Sequence, residues 1–432
     1  MHTLNECPVW LEGVSFPQGD ALPLPERVDV AVVGGGYTGL AAARALARGG
    51  ARVALLEAET LGWGASTRNG GMVLTGLKLD VPTLAARYGP ERARRLFVAS
   101  LAAIDCVERL VAEEQIDCDF ARCGHLVVAS KPAHARALAE EAALLRQQFG
   151  HPAHFLPPGE LPQEIGAAGY HGGLVDELSA GIQPARYAAG LAAAARRAGA
   201  LLFEHTPVRR VRVADGAGYL LDTPHGPLRA DAVLIATGAY TGMPTPELRR
   251  RMLSFGSYII ATAPLPEGLA QALIPRGRMV FDTLHLLHYY RLTPDRRMLF
   301  GGRARFVPAT PGTTRASATI LRAEMLALFP QLRDVPLEYA WGGQLDVPFD
   351  MMPHTGQQGG LHYALGYAGH GVAMGSYLGI RAAARILGQQ PPDVWDGLPF
   401  PAAPPQLYPL LPLGLPLVGL WHRALDSFGS RK

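Results

Sequence analysis

Residues 30–57 read VAVVGGGYTGLAAARALARGGARVALLE. An apolar run, 27–33, stops at three glycines, as a buried parallel strand would. Residues 38–50 are rich in alanine and leucine and close on Gly49-Gly50, a helix stop. Residues 52–57 form a second apolar run. This is a βαβ unit, and Gly34, Gly36 and Gly39 place G-x-G-x-x-G between its strand and its helix. The first glycine permits the tight turn, the second lets a pyrophosphate approach, and the third lets helix and strand pack closely. Glu57 ends the second strand, where an acid accepts hydrogen bonds from ribose hydroxyls. A lone G-x-G-x-x-G also marks ordinary turns. Strand, helix, second strand and acid in register point to dinucleotide binding, with helix-start N–H groups holding phosphates.

A second glycine-rich stretch follows at 62–73, GWGASTRNGGMV. Glycine costs ordering entropy, so such a cluster implies tight turning or close approach of backbone to something. Two readings stand on these residues alone: a ligand-facing segment, or a surface loop with a solvated Arg68. Beyond it the pattern predicts helices over 91–114, 134–150 and 186–200, and a strand over 125–130. Strands over 208–213, 218–223 and 230–240 suggest a β-meander, and 288–302 a hairpin around Pro294-Asp295. Residues 1–26 read as a loop-rich lead-in. No second G-x-G-x-x-G with strand and acid appears, which favours one bound dinucleotide.

At 432 residues the chain is too long for one ordinary core. Apolar residues make up 48% and charged residues 18%, a globular composition, and a net charge of +3 gives no bulk field for nucleic acid or an anionic membrane. Cys7, Cys106, Cys118 and Cys123 form no CxxC pair, and with no signal-peptide pattern at the start a reduced, cytoplasmic protein is expected. Residues 397–421 carry no charge but hold seven prolines, which argues against a spanning helix. The tail is expected to lie over the folded body, with peripheral membrane contact the alternative. His285 and His288 stand three apart, but zinc would need further ligands, so no metal is expected. Arg249, Arg250 and Arg251 read as a solvated face.

GGGYTGL at 34–40, LEAETLGWGASTRNGGMV at 56–73, YRLTPDRRMLFGG at 290–302 and GYAGHGVAMGSYLG at 366–379 together resemble the D-amino-acid-oxidase-like FAD-dependent oxidoreductases. Within that family the likeness is strongest to an enzyme acting on a gamma-glutamylated diamine. The resemblance implies an α/β fold, with a Rossmann-type FAD-binding domain interleaved with a substrate domain on a large mixed or antiparallel sheet. The expected division is a lead-in over 1–26, FAD-binding parts over 27–80, 181–255 and 341–395, substrate parts over 81–180 and 256–340, and a Pro-rich apolar tail over 396–432. It implies FAD contacts at Gly34, Gly36, Tyr37, Thr38, Gly39, Glu57 and Ala58. Further contacts fall at Gly64, Ala65, Ser66, Thr67, Arg68, Asn69, Gly70, Gly71 and Met72, a segment running from pyrophosphate to flavin. Ser66 and Thr67 would bond phosphate, Gly70 and Gly71 would lie at the flavin edge, and Met72 would reach the active-site side. Val208, Ala236, Thr237 and Gly238 match a second contact region, and Gly369, His370, Gly371 and Val372 a third. STRNGG holds no histidine and no cysteine follows Cys123, so noncovalent FAD is expected.

For catalysis the candidates are His370, Arg68, Tyr290, Arg291 and Arg303. Arg68 would neutralise phosphate or a substrate carboxylate, and Arg68 or His370 would supply positive charge near the flavin; His370 also reads as a plain turn histidine. Arg291 and Arg303 are candidate carboxylate partners, Tyr290 a flat wall, and strand alternation lets only some of these face a pocket. The three lysines, Lys78, Lys131 and Lys432, are poor candidates by position for a flavin-side lysine. The reading is oxidation of a small-molecule amine with O2 or a quinone as electron acceptor; a flavin-binding subunit without turnover is the rival from another class.

Overall fold

The computed structural model describes residues 4–19, 23–302, 310–389 and 393–411, with 413–414, 419, 421 and 425–426 beyond. Strand Arg27–Val33 lies between two parallel neighbours, Val53–Leu56 and Gly226–Ile235. The register sets Val33 opposite both Leu56 and Ile235, so three strands end at one level and deliver Gly34, Glu57 and Ala236 side by side. The sheet has eight strands and continues through Leu201–Phe203 on one side and Leu361–Leu365 and His354–Gln358 on the other. The predicted meander is present as Arg210–Val213, Tyr219–Thr223 and Gly226–Ile235, paired antiparallel.

Helix Tyr37–Arg48 starts on Gly36 and ends on Gly49, as its glycines predict. It packs with Pro90–Glu114, Pro184–Arg197 and Gly371–Ile386 over one face of that sheet, in a core dominated by alanine and leucine. Small residues allow the close approach: a Cβ on Gly375 would sit 3.1 Å from Thr38 Oγ1, and one on Gly379 would run into the Thr38 carbonyl.

A second eight-stranded sheet orders Leu337–Pro348, Met252–Thr262, Met298–Gly302, His288–Leu292, Met279–Asp282, His125–Val128, Gly173–Asp176 and Ala153–Leu156. All neighbours are antiparallel except Met279–Asp282 with His125–Val128. Alternation divides its faces: Leu126, Val128, Val175, Val280 and Tyr290 enter a core under helix Pro311–Leu328. His125, Val127, Leu174, Asp176, Phe281 and Tyr289 line the opposite side.

The described parts of the lead-in and of the tail are tied down more closely than their composition predicts. Trp10 of the lead-in is buried, donates from Nε1 to the Asn69 carbonyl at 2.9 Å, and its own carbonyl accepts from Gln183 at 2.7 Å. The tail over 396–411 lies on the body, and the arginine triplet is its clamp rather than a solvated face. Phe400 stacks on His354 beneath Arg251, Arg250 exchanges bonds with the Ala403 backbone, and Arg249 lies 5.4 Å from the Tyr408 ring. Among the described residues no helix is long and apolar enough to cross a membrane.

Candidate active site

At the level where the three parallel strands end, the chain turns through Gly34 with φ +112°, a conformation suited to glycine. A Cβ on Gly34 would stand 2.6 Å from the Ala236 carbonyl, and one on Gly36 2.8 Å from Ser66 Oγ. A Cβ on Gly39 would strike the Gly34 carbonyl, so its part is helix-to-strand packing. The Gly35 N–H donates to Glu57 Oε2 at 2.6 Å and the Glu59 N–H to Oε1 at 2.9 Å. Burial pushes the Glu57 pKa up, against those backbone bonds. Ser66 Oγ accepts from the Tyr37 N–H at 3.0 Å, which leaves its own hydrogen to donate outward.

These groups line a cavity of about 430 Å³. Gly34, Gly36, Tyr37, Thr38, Glu57, Ala58, Gly64, Ala65, Ser66, Asn69, Val208, Ala236, Thr237, Gly238, Gly369, Gly371 and Val372 all border it. The cavity has an acid among strand ends, backbone N–H groups at a helix start, and a turn at Gly34 and Gly36 that leaves no room for a Cβ beside Ala236 and Ser66, a set that fits FAD. Thr67 is a correction: its hydroxyl donates to the Gly62 carbonyl at 2.9 Å and it is not part of this cavity's lining. Gly71 is another. With φ +70° it sits against the Ile182 backbone, and its carbonyl accepts from Ile182 N–H and from Arg291.

A second cavity, about 340 Å³, meets the first along Ala65, Asn69, Gln344, Leu345, Gly369 and Val372. Arg68, Gly70, Met72 and His370 line this one and not the first. Arg68 lies 5.0 Å from the Trp63 ring, with Nε on the Trp63 carbonyl at 2.9 Å and Nη1 on the Gly342 carbonyl at 3.2 Å. Trp341 Nε1 donates to the Arg68 carbonyl at 3.0 Å and fixes this corner. His370 caps helix Gly371–Ile386. Burial, with Lys78 adding to it, pushes its pKa down to about 3, so it is neutral and supplies no positive charge.

The hairpin residues divide by strand parity. Tyr289 faces the cavity, its hydroxyl 3.2 Å from Ser257 Oγ. Tyr290 points the other way, stacked on Phe300 and donating to the Tyr170 hydroxyl at 3.0 Å, so it forms no substrate wall. Arg291 shares the parity of Tyr289 but is buried short of the cavity. Its Nη1 donates to the carbonyls of Gly71 at 2.9 Å and Ile182 at 3.2 Å, and burial pushes its pKa down. It braces the glycine-rich segment and has no donor to spare for a substrate carboxylate at that nitrogen. Arg303 lies outside the described residues.

Several lining residues carry no sequence signal. Lys78, set aside on position, borders the second cavity, as do His125, Asp176 and Glu141. Burial, with Asp80 adding to it, pushes Glu141 up to about 7. Asp346 borders the first cavity; its Oδ2 accepts from Gly366 N–H at 2.8 Å, and burial pushes it up to about 6. His285 pairs with Asp426 and His288 with Asp282 and Glu324. Among the described residues no group of three or more His, Cys, Asp or Glu could hold a metal ion.

A family model described as FAD dependent oxidoreductase matches residues 29–385. Gamma-glutamylputrescine oxidoreductase of Escherichia coli K12 is 34% identical over 361 residues, 83% of each chain. A probable oxidoreductase, OrdL, of Haemophilus influenzae is 33% identical over 384 residues, 87% of each chain. The crystal structure of glycine oxidase from Geobacillus kaustophilus superposes with a TM-score of 0.73 at 25% identity, covering 88% of this chain and 99% of that one. The match of fold, cradle and sequence has one meaning: the chain belongs to the DAO family of FAD-dependent oxidoreductases, and FAD is its cofactor.

Proposed function

We propose that the protein oxidises an amine at a CH–NH bond, using noncovalent FAD. The observation that carries this reading is the meeting of the two cavities at Gly369 and Val372, beside the start of helix Gly371–Ile386. Bound FAD would supply, at its N5, the acceptor for the hydride on the carbon next to the amine nitrogen. The chain's own part is placement and electrostatics. Glu57 would hold ribose hydroxyls, and the N–H groups of Gly36 and Thr38, with the Ser66 hydroxyl that the Tyr37 N–H orients, would hold the pyrophosphate. The helix start at Gly371 directs N–H dipoles toward the junction and would stabilise negative charge there. Neutral His370 neither repels a substrate ammonium nor acts as a strong base, so the substrate amine would react in its neutral form. The imine, two electrons and two protons below the amine, hydrolyses to an aldehyde and an amine.

The name of one relative, gamma-glutamylputrescine oxidoreductase, supports an elongated, N-substituted amine such as a gamma-glutamylated diamine. Carboxylate recognition, if the substrate carries one, would fall to Arg68 or Lys78, which border the second cavity, and not to Arg291. Lys78 in that cavity also favours O2 as acceptor, yielding H2O2, over a quinone or partner protein. Purified protein mixed anaerobically with a panel of amines should show bleaching of flavin absorbance. Reduced enzyme should then reoxidise faster in air than with a quinone. No bleaching by any amine would remove the reading, and quinone-only reoxidation would make the protein a dehydrogenase.

A further inference from the structure

His125 stands on strand His125–Val128, on the wall of the second cavity, and is 6% exposed. Its ring stacks on Phe281, centroids 5.2 Å apart. Nδ1 lies 2.8 Å from Ser179 Oγ, and among the described residues that is the ring's one hydrogen bond.

The surrounding bonds decide which nitrogen carries the hydrogen. Ser179 Oγ already accepts from the Thr75 N–H at 3.0 Å. The Thr75 hydroxyl donates to Asp176 Oδ2 at 2.6 Å, so it is committed. Asp176 accepts further from His151 Nε2 at 2.5 Å and from the N–H groups of Leu178 and Ser179 at 2.9 and 3.3 Å. The hydrogen of Ser179 therefore has one good acceptor, His125 Nδ1; its other contact, with Thr75 Oγ1, is 3.5 Å long. An imidazole that accepts at Nδ1 carries its hydrogen at Nε2. Burial pushes the His125 pKa down, which keeps the ring neutral.

A neutral donor held in a cavity wall asks for an acceptor oxygen. The Asp176 carboxylate lies 3.9 Å behind Nδ1 and disfavours a second full negative charge in front of the ring. We propose that His125 reads an uncharged carbonyl oxygen, such as an amide, on the non-reacting part of the substrate, with Ser179, Thr75 and Asp176 as the positioning residues behind it. This rests on the amine-oxidation reading and names a feature of that substrate.

The test uses holoenzyme and two kinds of readout. The first is turnover: anaerobic flavin bleaching by N-acetyl-1,4-diaminobutane against heptan-1-amine, which has the same length without the carbonyl. The parent should favour the amide by about tenfold, the scale of one buried hydrogen bond. His125→Phe keeps the ring stack and should abolish that preference, while His125→Gln, with an N–H donor, should restore part of it. The second readout needs no turnover. By calorimetry N-butylacetamide should bind His125→Phe about tenfold more weakly than the parent, and hexanoate should show no such difference. Imidazole nitrogen shifts of His125 should report the Nε2–H tautomer, which stands even if the variants do not fold. Equal N-butylacetamide binding in parent and His125→Phe, a larger loss for hexanoate, or an Nδ1–H tautomer would overturn the proposal. Failure of both amines to bleach flavin would strike the oxidation reading alone, and the binding and tautomer measurements would still decide the role of His125.

Discussion

Glu57 keeps each carboxylate oxygen on a backbone donor, which fixes its rotamer before any ribose arrives. Glu57→Arg removes a charged acceptor of roughly 1.5–3 kcal/mol, so FAD affinity should fall by about tenfold or more, read by fluorescence titration of the apoprotein. His288 is a pH-dependent contributor of a different kind. Burial would lower its pKa, but Asp282 at 2.8 Å and Glu324 at 3.1 Å outweigh this and raise it to about 9 from 6.5. A folded-state pKa above the unfolded value means that the pair stabilises fully below pH 6.5 and loses that contribution as pH rises through 9. The Tm deficit of His288→Gln should be larger at pH 6 than at pH 10. The glycines and Glu57 were legible in the sequence because a turn and a strand end constrain them locally. The burial of Arg291 was not, since its acceptors at Gly71 and Ile182 come from chain segments more than a hundred residues away. Lys78 and His125 were illegible for the same reason: the cavity that gives them meaning is assembled by tertiary packing.

Elements were read more securely than side-chain directions. The first βαβ unit, the meander and the hairpin at 288–302 are all present, because each rests on near-neighbour pattern and turn chemistry. Parity within the hairpin needs one fact the sequence lacks, which face the helix Pro311–Leu328 covers. That face takes Tyr290 and leaves Tyr289 to the cavity. Helix Gly371–Ile386 shows the reverse case, in which composition does carry the packing. Its Gly375 and Gly379 let the Thr38 turn lie against it. Gly379→Ala would push the Cβ into the Thr38 carbonyl, a strain of about 1–3 kcal/mol, and shift the dinucleotide turn with it. Both a lower Tm and weaker FAD retention are expected, and added FAD should recover part of the Tm. A variant with unchanged Tm would show that the two helices can part without cost.

On the scale of the whole molecule, the first cavity draws on residues 33–69, 207–245, 344–346 and 367–372, so FAD would bridge four stretches of chain. A ligand bound only by the native state raises stability by about 2.7 kcal/mol at a hundred times its dissociation constant. Excess FAD should therefore raise Tm in proportion to the logarithm of its concentration, as a noncovalent cofactor does. Acid precipitation should leave the flavin in the supernatant, and flavin retained in the pellet would point to a covalent link. The tail adds to this closure from outside, through Phe400, Ala403 and Tyr408 on the first sheet's edge and the start of strand Met252–Thr262. Its value was hidden in the sequence because proline-rich apolar composition names no partner.

Strand Arg27–Val33 is made about two hundred residues before its partner Gly226–Ile235. At a synthesis rate of about 5–20 residues per second, the wait is on the order of 10–40 s. Throughout it, an apolar strand with one open edge and a glycine turn stands exposed beside the ribosome. The strands His354–Gln358 and Leu361–Leu365 extend the wait by more than a hundred further residues. Holdase chaperones that shield this waiting edge should therefore raise the yield of native protein while leaving the Tm of the finished fold unchanged.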